Sequence, residues 1–170
     1  TRDVRALMLM VTVYAILNAP VLALMPVVAR EMFSLGAGGY GLLLSFLGIG
    51  GLCGALGLAA VGNRISRTRL LTVVSMLWPA LLLAFSLTSV PWVGYALLFA
   101  IGIVMILNGA IANGLLQGIV PDALRGRIMA AYGLVVVGLA QVVGAFTGGV
   151  VAHLVGVASA IFVTALLMAA

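Results

Sequence analysis

Six runs of apolar sequence, separated by short segments that hold almost every charge, govern what this chain can fold into. The runs are Leu7 to Ala29, Tyr40 to Gly62, Leu70 to Ser89, Trp92 to Val120, Ile128 to Ala152 and Val157 to Ala170. A helix needs about 20 apolar residues to cross a hydrocarbon core of about 30 Å, and all but the last run reach that length. Lipid offers no partner to backbone N–H and C=O groups, so each run must close its own hydrogen bonds as a helix. With 65% hydrophobic and 6% charged residues, too little polar surface exists to keep a soluble globule dispersed. The pattern predicts an all-α membrane protein, a six-transmembrane-helix bundle occupying residues 1–170 as one unit. Its helices are expected at 7–29, 40–62, 70–89, 92–120, 128–152 and 157–170.

Charge then sets direction. All eight basic residues are arginines, and alternating the loops between two faces puts Arg2, Arg5, Arg64, Arg67, Arg69, Arg125 and Arg127 on one side. Arg30 alone falls on the other. Arginine-rich short loops stay cytoplasmic, so the segment is expected to begin inside the cell and to sit in the plasma membrane as a multi-pass protein. The net charge of +5 is thus a topology signal. Nucleic acid is not an expected partner, because these arginines are loop clusters between spans rather than one basic soluble face.

Catalysis and metal chemistry find little support. The acids Asp3, Glu31 and Asp122 all lie at run ends or in loops, which leaves no mid-membrane carboxylate to carry protons. A serine-type intramembrane protease needs a nucleophile and a histidine base together. Ser45 sits in Leu44-Ser45-Phe46 and the lone His153 is expected at the outer interface, so no enzyme is read here. One His and one Cys, far apart, make no metal site, and no cofactor is implied. Cys53, inside a glycine-rich run, reads as a packed thiol.

Short connections make consecutive helices antiparallel neighbours, and Asp122, after Pro121, is placed to cap the fifth helix. An internal repeat follows from splitting the chain after the third run. Asn18 with Pro20 and Pro26, then a glycine-rich run, then an apolar run, is matched by Asn108, Asn113 and Gln117, a second glycine-rich run and a second apolar run. Two three-helix units enter the membrane from opposite faces, giving two inverted repeats. Gly50, Gly54 and Gly57 share one helix face, as do Gln141, Gly144 and Gly148. Small residues at this spacing let backbones approach, either within the bundle or at a face that rocks against a second bundle. Asn18, Asn113 and Gln117 read either as interhelical hydrogen-bond partners or as a polar wall on a substrate cavity, and Asn108 reads as interhelical glue.

Two loops carry a resemblance to the major facilitator superfamily, specifically the second half of the drug, macrolide and siderophore exporters grouped as transmembrane secretion effectors. Gly62-Asn63-Arg64-Ile65-Ser66-Arg67-Thr68-Arg69 is similar to the signature G-x-x-x-D-R-x-G-R-R, with Asn63 and Ser66 replacing its acid and glycine. Gln117-Gly118-Ile119-Val120-Pro121-Asp122-Ala123-Leu124-Arg125-Gly126-Arg127 resembles L-Q-x-x-V-P-D-x-x-R-G-R. The resemblance implies one half of a twelve-helix fold, with this chain as a fragment partnered by an N-terminal six-helix half, the bilayer and a small-molecule substrate. It implies first and fourth helices lining a cavity (Asn18, Asn113, Gln117), second and fifth meeting the other half, and third and sixth facing lipid. The expected function is export of small amphipathic molecules by alternating access as a secondary active transporter. A non-transporting six-helix scaffold subunit, or a half-size transporter acting as a dimer, is the alternative.

Overall fold

The computed structural model describes residues 2–61 and 66–169. Asn63 and Arg64, and the side chains of Arg2 and Arg5, lie outside the described residues. Its helices are α1 (Arg2–Ala23), α2 (Met25–Glu31), α3 (Ala37–Val61), α4 (Arg67–Leu87), α5 (Pro91–Ile119), α6 (Asp122–Tyr132), α7 (Ala140–Val155) and α8 (Val157–Ala169). A π-helical stretch, Gly133–Leu139, joins α6 to α7. The chain is therefore all-α, as its apolar runs require.

Among the described residues, four spans, or five with one bent pair, are long and apolar enough to cross a membrane, where six are expected. By length and composition α3, α4, α5 and the rod Asp122–Val155 can each span a membrane, and α1 with α2 makes a fifth span bent by 44°. The sixth run yields the 13-residue α8, about 20 Å at 1.5 Å per residue. The first run bends because proline interrupts it twice. Pro20 lies inside α1, and Pro26 falls at the start of α2, where its missing N–H removes no established bond. The fifth rod begins at Asp122, earlier than the apolar pattern implies, and Asp122 is not the cap. Pro121 holds that position without a side-chain bond, while the Asp122 carboxylate pairs with Arg125 at 2.6 Å. An acid in the first turn still opposes the positive end of the helix dipole.

Two seams of glycine hold the helices most closely. α3 packs along α5 and α1 along α7, and α4 bridges α5 and α8. A Cβ on Gly50 would stand 2.0 Å from the Phe99 carbonyl oxygen, and one on Gly102 would stand 2.1 Å from that of Leu47. The α3/α5 seam is thus backbone against backbone, gaining dispersion contact where lipid gives no hydrophobic drive. On the α1/α7 seam a Cβ on Gly144 would lie 2.1 Å from the Ile16 carbonyl oxygen, and one on Gly148 would lie 2.3 Å from Pro20 Cβ. Pro20 has no N–H for the carbonyl four residues earlier, which is Ile16. The glycine face of α7 closes over the turn that proline loosened.

The largest core lies around Met25, Val28, Trp78, Leu82, Phe85, Leu98 and Ile161. Smaller clusters form around Val11, Leu71 and Ile111, and around Leu116 and Val120. Leu116 and Val120 pack with Met8 and Ile128, so the start of α1, the end of α5 and the start of α6 share one end of the bundle. Arg67 joins them, since its guanidinium reaches Gly114. Phe33 meets Gly94 at the opposite end, beside Arg30. Arg67, Arg125 and Arg127 thus lie at one end and Arg30 at the other.

Candidate functional site

The polar centre of the bundle starts from a proline. Pro79, inside α4, cannot donate to the carbonyl of Ser75 one turn earlier. The Tyr14 hydroxyl of α1 donates to that carbonyl instead, at 2.8 Å. Asn108 of α5, a buried amide, donates from Nδ2 to the Ser75 Oγ at 2.9 Å. Ser75 therefore ties α1, α4 and α5 through two bonds to one residue. In a bilayer such bonds contribute about 0.6 to 2 kcal/mol each.

Trp78 sits one turn from Ser75, 2% exposed, with its ring edge-on to Tyr14 at 5.8 Å between centroids. Its Nε1 is buried and has no acceptor among the described residues. A buried N–H without a partner costs about 1 to 3 kcal/mol, so this donor stands out in a hydrocarbon-embedded chain.

These side chains border a cavity of about 260 Å³ at mid-bundle, lined by Tyr14, Asn18, Trp78, Asn108, Tyr132 and Gln141 with apolar residues between them. Trp78 and Asn108 fall near the middle of α4 and α5, Asn18 lies well inside the bent span made by α1 and α2, and Gln141 lies near the middle of the rod Asp122–Val155. The π-helical stretch separates Tyr132 from Gln141 and sends Val136 into the wall between them. Widened turns of this kind recur at functional sites because they offset the residues on either side. Among the described residues no Asp, Glu, Lys, Arg or His lines the cavity.

The structure sorts the sequence-derived residues as follows. Asn18 lines the cavity, and Asn113 and Gln117 do not. Gln117 is exposed and bonds Asn113, and Asn113 interacts with Tyr132, all nearer the arginine-rich end. Asn108, read as glue, is both glue and wall. Gln141, read as part of a packing face, is also wall, whereas Gly50, Gly54, Gly144 and Gly148 close seams inside the bundle. Gly57 meets no atom within 4 Å of an added Cβ. Cys53 is exposed rather than packed, because the buried face of α3 runs through Leu43, Leu47, Gly50 and Gly54. Wall residues come from the first run (α1) and the fourth (α5), and also from the third (α4), through Trp78, and the fifth, through Tyr132, Val136 and Gln141. A tryptophan far from the interfacial positions that its ring prefers was the available signal.

In the loop motifs, Arg67 lines a second cavity of about 360 Å³ between α3, α4 and α5, and Arg69 is exposed. Pro121 and Asp122 start α6, Arg125 pairs with Asp122, and Arg127 lines a groove beside Met8 and Thr12. The Arg30–Glu31 pair, at 3.9 Å and solvent-facing, contributes little. Among the described residues no three His, Cys, Asp or Glu are grouped to hold a metal.

Comparison with curated proteins and with solved structures gives no match. The transmembrane secretion effector family matches residues 1–170, the whole chain. Apolar helices long enough to span a bilayer and a polar cavity at mid-length agree with that match, which points to transport rather than catalysis. This chain belongs to the transmembrane secretion effector family and is a multi-pass membrane protein of the major facilitator type.

Proposed function

We propose that the chain forms a six-helix bundle, the C-terminal half of a secondary active exporter of small amphipathic molecules, and that an N-terminal half completes it. The observation that carries this reading is the meeting of Asn18, Asn108 and Gln141 with Tyr14 and Trp78 around one mid-bundle cavity. Polar groups are costly in lipid, and a wall of them at the midplane fits a site reached alternately from two sides. The two glycine seams supply rigid pairs, α3 with α5 and α1 with α7, that can rock as bodies while the wall between α1 and α5 opens and closes.

Direction follows the arginines. The end bearing Arg67, Arg125 and Arg127 is assigned to the cytoplasm of the plasma membrane and the Arg30 end to the outside. Asn113 and Gln117 extend the polar path from the cavity toward that cytoplasmic end.

The test is efflux from cells carrying the full-length protein, with Asn18→Ala and Gln141→Ala compared with the wild type at matched membrane levels. Efflux reduced about tenfold or more, the scale of one lost hydrogen bond to a bound ligand, is the expected result. Wild-type efflux from both variants rejects the cavity, and wild-type efflux from Asn113→Ala and Gln117→Ala rejects the cytoplasmic path.

A further inference from the structure

Two arginines, two residues apart on α6, keep different company. Arg125 pairs with Asp122 at 2.6 Å, so their charges cancel locally. Arg127 is exposed and makes no ion pair with another described residue. The positive charge left over in the first turns of α6 is therefore its own. The same residue lines a groove of about 750 Å³ with Met8, Leu9 and Thr12 of α1, and with Ala131 and Val135 farther along its own rod. That volume falls within the range of about 300 to 1,000 Å³ typical of small-molecule sites. Leu9 is 67% exposed, and Thr12 spends its hydroxyl hydrogen on the Met8 carbonyl at 2.7 Å. The groove thus offers apolar surface beneath a single cation. We infer that it binds one anionic phospholipid, with the phosphate on Arg127 and an acyl chain running inward. The inference needs only the bilayer and stands whether or not the chain is half of an exporter.

The order of these groups matches the anatomy of a phospholipid. Arg127 lies at the outer end of the groove, in the first turns of α6. Ala131 and Val135 follow it at intervals of four residues, roughly two turns or 10 Å deeper along the rod. Another side of that rod, through Tyr132, Val136 and Gln141, borders the mid-bundle cavity, so groove and cavity share no wall residue. An arginine at a membrane interface holds its guanidinium at headgroup depth while its stem lies on apolar surface. Guanidinium and phosphate then pair through two parallel N–H···O bonds. A zwitterionic headgroup brings a cation of its own and gains less, which is why basic pockets between helices select anionic lipids. A free anion would meet the charge and leave the apolar floor bare. By contrast, an outward groove beside Met10, Leu71 and Met76 has no charged residue among the described residues that line it, and it carries no such selectivity.

The experiment measures lipid binding to the purified full-length protein in detergent by native mass spectrometry, with dioleoylphosphatidylglycerol, dioleoylphosphatidylcholine and inorganic phosphate as probes. The tightest phosphatidylglycerol is expected to bind about fivefold more strongly than phosphatidylcholine, the scale of one basic residue at an anionic surface. Arg127→Gln is expected to remove that factor and to leave phosphatidylcholine unchanged. Asp122→Asn combined with Arg125→Gln removes two charges that cancel, and this double variant is expected to bind as the wild type does. Ala131→Trp fills the groove from an exposed position, keeps the arginine, and is expected to weaken both lipids severalfold. It tests the groove even if Arg127→Gln fails to fold. Phosphatidylglycerol binding that is equal in the wild type and in folded Arg127→Gln overturns the assignment, as does equal weakening by the Asp122 and Arg125 double variant. Inorganic phosphate that displaces phosphatidylglycerol at equal concentration marks an anion site with no place for a tail. Lipid binding unchanged by Ala131→Trp marks a groove already covered by another part of the full-length protein. Either result overturns the proposal.

Discussion

The glycine seams and the polar cavity run side by side through the same bundle, yet they solve opposite problems. Along α3/α5 and α1/α7 the backbones come so close that no Cβ fits at Gly50, Gly102, Gly144 or Gly148. Between α1 and α5, by contrast, the contacts are few, and amides, phenols and an indole border open space. Lipid solvates apolar side chains as well as protein does, so helices are joined by close packing and hydrogen bonds. Where neither is complete, the gap is a place for something else. The contrast teaches that tightness and polarity are divided between neighbouring interfaces, the first making rigid pairs and the second leaving a cavity between them.

The sharpest way to break the comparison is to give a seam a side chain. Gly50→Leu and Gly144→Leu each drive carbon into a backbone carbonyl, an obstacle that no rotamer can clear. Each is expected to destabilise the folded protein by about 3 kcal/mol or more, the upper end of overpacking costs. Thermal unfolding in detergent, followed by size-exclusion chromatography, reads this directly. A variant with wild-type stability would show that the helices are free to part.

A smaller effect tests the polar side. Tyr14→Phe removes the donor that serves the Ser75 carbonyl left open by Pro79, and a loss of about 1 to 2 kcal/mol is expected. Pro79→Ala restores an N–H to that carbonyl. In the Pro79→Ala background, Tyr14→Phe should therefore cost much less than it does alone. Equal cost in both backgrounds, measured as a double-mutant cycle of stabilities, would separate the tyrosine from the proline.

Much of this division was legible from spacing, and part of it was not. The helical class followed from the length of the runs, and the glycine stripes stood at intervals that placed Gly50 with Gly54 and Gly144 with Gly148 on common faces. Which helix each stripe would meet was not legible, because period alone names a face and never a partner. The same limit explains the site. Asn113 and Gln117 share a face with each other, and that regularity favoured them over Asn108 and Gln141, which meet only in three dimensions. Trp78 and Tyr14 belong to the site through the fold around Pro79, a relation between the third and first runs that no local pattern encodes. Cys53 went astray for a related reason, since in a bilayer an apolar surface faces outward as readily as inward.

Asn18→Ala probes the cavity at lower energetic cost to the fold. Its side chain bonds no other described residue, so stability should stay within about 0.5 kcal/mol of the wild type, the range of substitutions that touch no packed or bonded feature. A large drop in melting temperature would place Asn18 among the groups that hold the bundle together instead of those that border its gap.

The last test falls on Gly57, and it separates the two roles that a glycine face can play. Gly57 continues the face of Gly50 and Gly54 by another turn of α3, yet an added Cβ there meets nothing within 4 Å. Replacing glycine by alanine in an unobstructed helix removes backbone entropy from the unfolded chain, so Gly57→Ala should leave the bundle unchanged or stabilise it by up to about 1 kcal/mol. Within this bundle the glycine has no work that alanine cannot do. On the transport reading, a full-length protein carrying Gly57→Ala that melts as the wild type does but moves substrate more slowly would place the proposed N-terminal half in the open space above Gly57. The stripe then serves two interfaces, a fixed one at Gly50 and Gly54 and a moving one at Gly57. If stability falls in this chain alone, α3 lies closer to a neighbour at that turn than at Gly54, and the α3/α5 seam extends through its full length.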